Sequence, residues 1–262
     1  MNIILQDPDM TTAILPNREG HDVPDVSFRI RRNDDWASVT SDEIFAGKNV
    51  IVFSLPGAFT PTCSSTHLPR YNELAPVFKE RGIDAIVCVS VNDPFVMQEW
   101  GKDQEAANVM LLPDGNGAFT EAMGLLVDKS DLNFGKRSWR YSMLVRNKRI
   151  EKMFLEPQKP GDPFEVSDAD TMLHYLDPNA TIPEPVAILT REGCPFCAKA
   201  KHMLTDAGYT YAEVPLPHTI RSKALGAIAG AQTVPQVFIG GKLIGGSEAL
   251  EAYLRKAHPK AA

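Results

Sequence analysis

Four cysteines carry the reactive chemistry of this 262-residue chain, and two of them are spaced as Cys194-Pro195-Phe196-Cys197. The pair stands where a strand gives way to a helix. Val186 to Thr190 reads as strand, and Cys194 to Ala207 reads as helix closed by Gly208. Pro195 suits the first helical turn, where its missing N–H costs nothing. Cys194 then meets free backbone N–H groups and the positive end of the helix dipole, and both favour a thiolate. Thiols so placed ionise at about 3.5–7.5, against about 8.5 for a free cysteine. Cys197 lies one turn deeper, so one sulfur attacks and the other stands behind it. The same spacing is half of a zinc site. Structural zinc takes four ligands, however, and there is no second cysteine pair, nor do His202 and His218 have finger-like spacing. Redox chemistry is expected, and no metal.

Cys63 follows a turn-rich loop, Leu55-Pro56-Gly57-Ala58-Phe59-Thr60-Pro61-Thr62, and starts the next helix. The helix start favours its thiolate, Thr60 offers a hydroxyl three residues earlier, and Pro56 and Pro61 stiffen the loop that holds both. A thiolate beside hydrogen-bond donors suits attack on a peroxide O–O bond, because the donors orient one oxygen and stabilise the charge on the leaving one. His67, four residues on, shares a helix face with Cys63. Cys88 sits inside the β-branched run Ile86-Val87-Cys88-Val89 and reads as a plain buried cysteine.

The elements that must position these sulfurs are legible from hydrophobic period and turn residues. Val50 to Phe53 is a short buried strand. Ser64 to Arg81 is predicted as one helix, bent at Pro69 and Pro76 and stopped by Gly82. Ile83 to Val91 and Val109 to Leu112 are strands. Pro94 to about Ala107 and Asn116 to Met123 are helices. Tyr141 to Val145 and Arg149 to Leu155 form a hairpin, and Ser167-Asp168-Ala169-Asp170 opens a helix ending near Leu176. The later part reads βαβαββα: Val186 to Thr190, Cys194 to Ala207, Tyr209 to Val214, Thr219 to Ala229, Val237 to Ile239, Lys242 to Ile244, and Ser247 to about His258. Three prolines between Asp177 and Pro185 break the chain. The predicted organisation is an extension over residues 1–18, a domain over 19–177, a stiff linker over 178–185 and a domain over 186–262.

Composition excludes other classes. Lys plus Arg number 27 against 33 Asp plus Glu, for a net charge of −6, which disfavours bulk nucleic-acid or acidic-membrane binding. No run reaches the roughly 18 apolar residues of a membrane helix. Too few cysteines for a disulfide scaffold and no secretory leader at Met1 point to the cytoplasm.

The later part resembles the glutaredoxins over nearly its whole length, through Cys194-Pro195-Phe196-Cys197, Thr233-Val234-Pro235 before a strand and Gly245-Gly246-Ser247-Glu248 before the last helix. The resemblance implies a thioredoxin-like fold with Pro235 cis and a groove for glutathione. It assigns Thr233, the backbone of Val234, Gly246, Ser247 and Glu248 to that tripeptide, with the γ-glutamyl carboxylate at the helix N-terminus, a natural anion site. Arg191 is placed to hold the glycine carboxylate. Phe196 stands where tyrosine is commoner, and Ser247-Glu248 where Cys-Asp is commoner.

The earlier part resembles the peroxiredoxins, specifically the peroxiredoxin-5-like group, over about residues 19–176, through Pro56 to Cys63, His67-Leu68-Pro69, Val89-Ser90-Val91-Asn92-Asp93 and Arg140-Tyr141-Ser142-Met143. The resemblance implies that Cys63 attacks peroxide, that Thr60 hydrogen-bonds it, that Arg140 lowers its pKa and steadies the peroxide, and that Pro56 shields the site. Arg137 is a rival for the arginine role. Some members carry a second, resolving cysteine near the domain end, but Leu155 to Leu176 holds none. The fold class is therefore α/β, two thioredoxin-like domains joined by a Pro-rich linker. The implied activity is a glutathione-dependent peroxidase acting on hydrogen peroxide and alkyl hydroperoxides. Cys63 would become glutathionylated and Cys194, backed by Cys197, would take the glutathionyl group. Glutathione is then a cosubstrate rather than a bound cofactor, an external glutathione reductase restores it, and a homodimer or tetramer is expected. The alternatives are a protein-disulfide or deglutathionylation enzyme with a peroxide-sensing domain, and an iron–sulfur-binding glutaredoxin.

Overall fold

The computed structural model describes residues 14–32, 35–180, 183–219 and 221–257. The chain divides into two compact units after Ala180, inside the proline-rich stretch.

The first unit opens with an antiparallel hairpin, β1 (Ser27–Arg32) and β2 (Asp35–Thr40), with Phe28 opposite Val39. A short helix α1 (Ser41–Phe45) follows, closed by a reciprocal capping box between Thr40 and Glu43. Next comes β3 (Asn49–Leu55), the centre of a five-stranded sheet. Beyond the active-site loop lie a π-helical turn (Cys63–His67), α2 (Leu68–Glu73), α3 (Ala75–Glu80), β4 (Ala85–Ser90), α4 (Pro94–Asp103), β5 (Met110–Pro113) and α5 (Ala118–Ala122). A two-stranded pair, β6 (Leu126–Asp128) and β7 (Lys136–Ser138), leads into the hairpin of β8 (Tyr141–Arg146) and β9 (Arg149–Leu155), and α6 (Ala169–Leu176) ends the unit. The sheet order is β5-β4-β3-β8-β9; β3 runs parallel to β4 and antiparallel to β8.

Strand period explains the layers. Val50 and Val52 face a core with Phe28, Phe45 and Phe119. Phe53, one residue on, points the other way and stacks on Tyr71 of α2, centroids 4.3 Å apart and 8° from parallel. Both faces of β3 are dry, as a central strand requires, and each buried side chain of this size contributes about 1.5–3 kcal/mol.

The single helix expected over Ser64 to Arg81 is three pieces. Pro69 has no N–H for the carbonyl of Ser65, so the turn widens and the N–H of Leu68 bonds the carbonyl of Cys63, five residues back. Pro76 starts α3 in the same way, with Leu74 as the joint between α2 and α3. The β8–β9 hairpin turns through Asn147 and Lys148, both at positive φ (45° and 70°), and the Asn147 side chain accepts the N–H of Gly47 at 2.7 Å. In the described part of the expected N-terminal extension, Leu15 packs against the core and Arg18 Nη2 donates to the carbonyl of Ala122 at 3.1 Å. Residues 1–13 of that extension lie outside the described residues.

The second unit is a four-stranded sheet, β11-β10-β12-β13, built from β10 (Val186–Thr190), β11 (Ala212–Pro215), β12 (Gln236–Ile239) and β13 (Lys242–Gly245). Helices α7 (Pro195–Asp206), α8 (Arg221–Ala229) and α9 (Ser247–Ala257) complete it. β10 pairs parallel with β11 and antiparallel with β12, which joins β13 through Gly240 and Gly241, both at positive φ. Its core is Val186, Ile188, Ala200, Leu204, Val237, Ile239 and Leu250.

Candidate active site

Two cysteine centres are present, one in each unit. Cys63 opens the π-helical turn and is fully buried. Arg140, at the entry to β8, points a guanidinium at it, with Nη2 3.5 Å from Sγ. That guanidinium is itself only 1% exposed, so its charge acts in a medium that screens it little. Three side chains hold it through four contacts. Nη1 donates to His67 Nδ1 at 2.9 Å, Nε donates to Asp162 Oδ1 at 3.2 Å, Nη2 pairs with Asp162 Oδ2, and the Phe164 ring covers it at 5.3 Å.

His67 is the hub behind the arginine. Its Nδ1 accepts from Arg140, so Nε2 carries the proton and donates to the carbonyl of Ser167 at 3.2 Å. Burial, seconded by the charge of Arg140, holds this histidine well below the usual imidazole range, against a weaker pull from Ser167. It is neutral, and packs on Phe53 (4.7 Å) and Phe164 (4.9 Å). Tyr71 Oη also donates to the Ser167 carbonyl, at 3.0 Å. Ser167 is fixed in turn by Glu156, whose buried carboxylate accepts the N–H groups of Glu165, Val166 and Ser167 and the Ser167 hydroxyl, all within 3.0 Å.

One predicted partner is not in place. The Thr60 hydroxyl donates to the carbonyl of Gly57 at 2.9 Å rather than to Cys63. Pro56 is buried under the loop, and Asn92 Oδ1 anchors that loop by accepting the N–H of Ala58 at 3.0 Å. Trp100 Nε1 fixes the next residue, Ser64, at 2.9 Å. Arg137 does not reach Cys63: it donates to the carbonyls of Phe134 and Val91. Cys88 is buried in β4; burial, then the neighbouring Cys63, push its thiol well above the usual value despite Arg140. All four cysteines are free thiols.

The second centre is open where the first is closed. Cys194 is the N-cap of α7, and its sulfur accepts the N–H of Cys197 at 3.2 Å. Burial opposes the Cys194 thiolate, but the Cys197 thiol, the Cys197 N–H, the charge of Arg191 and the Phe196 N–H outweigh it and hold the thiol below its usual value. Cys197 goes the other way, pushed up to about 11 by burial and by its bond to Cys194. Beside Cys194 runs a cleft of about 620 Å³. Arg191, Thr233, Val234, Pro235, Gly246, Ser247 and Glu248 all line it, with the Val234–Pro235 bond cis and Ser247 at the start of α9. Three further residues line it that sequence reasoning missed, Arg221, Gln232 and Ala249. Arg221 opens α8 and also donates to the carbonyl of Leu216 at 3.4 Å.

Known proteins separate along the same line. The redoxin family model matches residues 18–173, and the glutaredoxin model matches residues 186–244. The chain belongs to the peroxiredoxins, in the hybrid form with a fused glutaredoxin domain. The hybrid peroxiredoxin hyPrx5 of Haemophilus influenzae is 61% identical over 239 residues, covering 91% of this chain and 99% of that one. Among solved structures, reduced Prx3 of Vibrio vulnificus in complex with hydrogen peroxide matches with a TM-score of 0.58 and 41% identity, over 61% of this chain and 98% of that one. The 1-Cys peroxiredoxin of Plasmodium falciparum matches with a TM-score of 0.59 and 35% identity, over 62% of this chain and 100% of that one. This peroxiredoxin is a thiol peroxidase, and no helix among its described residues is long and apolar enough to cross a membrane.

Proposed function

We propose that the peroxidase draws its electrons from glutathione and that the glutaredoxin domain is the relay. The supporting observation is the absence of a competent resolving thiol in the first unit. Cys88 is held protonated inside the sheet, and residues 155–176 contain no cysteine. Cys63 thiolate attacks one oxygen of hydrogen peroxide or an alkyl hydroperoxide, the O–O bond breaks, and water or an alcohol leaves as Cys63 becomes a sulfenic acid. Arg140 balances charge on the sulfur before the step and on the departing oxygen during it. Glutathione condenses with the sulfenic acid, releasing water and leaving a Cys63–glutathione disulfide. Cys194 thiolate attacks the glutathione sulfur and returns Cys63 as thiolate. A second glutathione releases the oxidised dimer, which glutathione reductase recycles.

The cleft beside Cys194 supports a tripeptide with two carboxylates. Arg191 and Arg221 supply cationic partners in its wall, and the N-terminus of α9 at Ser247 supplies backbone donors. The same reading places the protein in the reducing, glutathione-rich cytoplasm as a homo-oligomer. Peroxide-dependent NADPH oxidation, followed with glutathione and glutathione reductase and then with thioredoxin and its reductase, tests the electron source. Turnover with glutathione that is lost in Cys194→Ser, while one stoichiometric burst of peroxide consumption survives, is the expected result. Equal turnover with thioredoxin in Cys194→Ser overturns it.

A further inference from the structure

The Cys63 sulfur does not have Arg140 to itself. The same guanidinium makes a two-point ion pair with Asp162, through Nε at 3.2 Å and through Nη2. It is Nη2 that also reaches Sγ. A buried cation thus serves two anions, a permanent carboxylate and a sulfur that must become one. Asp162 lies in the loop between β9 and α6, and nothing about its position is accidental. Glu156 gathers the far end of that loop, Lys159 pairs with Glu165 at 2.9 Å, and Lys129 Nζ donates to the carbonyl of Gly161 at 3.1 Å.

We propose that Asp162 divides the charge of Arg140 with Cys63 and is thereby a positioning residue that sets the pH at which Cys63 becomes a thiolate. The inference rests on the reading of Cys63 as the peroxide-reactive thiol. The other groups facing this sulfur do not perform that task. His67, on the same turn, is neutral and accepts from Arg140. Cys88, from β4, stays a thiol. Asp162 is the anion on the guanidinium, and at 34% exposed it is reachable by solvent while Arg140 is not. A like charge nearby disfavours a thiolate, and an undivided opposite charge favours it. Arg140 keeps its bond to His67 and its cover by Phe164 when Asp162 is lost, so the charge stays in place and only its division changes.

Thiolate absorbance at 240 nm tests this in the full chain. Cys194→Ser/Cys197→Ser silences the other centre, and the same protein with Cys63→Ser provides the baseline that assigns the signal to Cys63. Asp162→Asn should move the midpoint of the Cys63 step down by about 0.5–1 pH unit, the lower end of the range for one charge because solvent screens Asp162. The rate with hydrogen peroxide at a pH below the parent's midpoint should then rise about three- to tenfold. Asp162→Glu should return the midpoint toward the parent. An unmoved midpoint with slower peroxide attack at every pH makes Asp162 a loop anchor only and overturns the proposal, as does an upward shift. The absorbance step needs no peroxide, so it stands or falls separately from the peroxidase reading, which Cys63→Ser turnover decides.

Discussion

Cys63 and Cys194 both open a helical turn, yet different physics serves them. Cys63 is sealed inside the first unit and depends on one side chain, Arg140, which bonds His67, pairs with Asp162 and lies under Phe164. Cys194 sits beside an open cleft and depends mainly on what it touches locally: the N–H groups of its own helix and the Cys197 thiol. A substrate as small as a peroxide permits the first design, because it needs little room and meets charge at full strength in a dry site. The tripeptide we propose for the second centre needs the second design, since its length requires a groove and its carboxylates require donors spread along it. The closed centre is therefore sensitive to the loss of a single distant residue, and the open one spreads its dependence over several near ones.

Removing the arginine breaks the comparison most sharply. Arg140→Met should lower the second-order rate with hydrogen peroxide by about 10²–10³, the cost typical of losing one charge-stabilising donor in a buried site. Stopped-flow measurement of the single-turnover burst reads this directly, and transfer of glutathione by Cys194 from a small disulfide should be unchanged.

The next effect lies in stability rather than rate. His67 is buried and neutral, and its folded-state pKa is below that of the unfolded chain. Below the ordinary histidine value of about 6.5 the unfolded state binds a proton that the native state refuses, so stability falls as pH falls. The loss should be about 1.4 kcal/mol per pH unit, or ~2 kcal/mol between pH 6.5 and 5. Comparing the Tm of the first transition at pH 7 and pH 5 in the parent and in His67→Gln should show the steeper acid loss in the parent. Equal slopes would mean that His67 takes up its proton in the folded state.

This contrast also governs what could be read from the chain alone. The Cys194 centre was largely visible, because a Cys-x-x-Cys at a helix start carries its own donors within four residues. Arg221 was not, since a lone arginine opening a helix looks like any solvated charge. At the closed centre the local part, Pro56 to Cys63, was equally plain. Glu156, Asp162, Phe164 and Ser167 were not, because they reach His67 and Arg140 only after β9 pairs with β8 and the following loop folds back. Thr60 shows the limit of spacing arguments: a hydroxyl three residues from a sulfur donates instead to a carbonyl three residues before it. The hairpin of β1 and β2 and the short helix after it were not read from the chain, although Phe28 and Ile30 alternate with Arg29 and Arg31 and Thr40 and Glu43 stand at capping-box spacing.

In the open centre, single losses should be smaller. Arg221→Gln should raise the KM for glutathione about three- to tenfold with kcat nearly unchanged, as expected when a half-buried charge–carboxylate contact that binds ground and transition states alike is lost. A fall in kcat with an unchanged KM would place Arg221 in the chemistry and not in binding.

The smallest effect should come from Arg191→Gln. Arg191 favours the Cys194 thiolate by its charge alone, and it ranks behind the Cys197 thiol and N–H among the influences that do so. Its removal disfavours the charged sulfur, so the midpoint for alkylation of Cys194 should move up, toward the ordinary thiol value. The shift should stay under about 0.5 pH unit, because the helix donors remain and solvent screens the arginine. Raising the salt from 50 mM to 500 mM should move the parent most of the way to the variant and leave the variant where it is. A Cys194 midpoint as steeply dependent on Arg191 as the peroxide rate is on Arg140 would erase the distinction between the two centres and make each a single-arginine site.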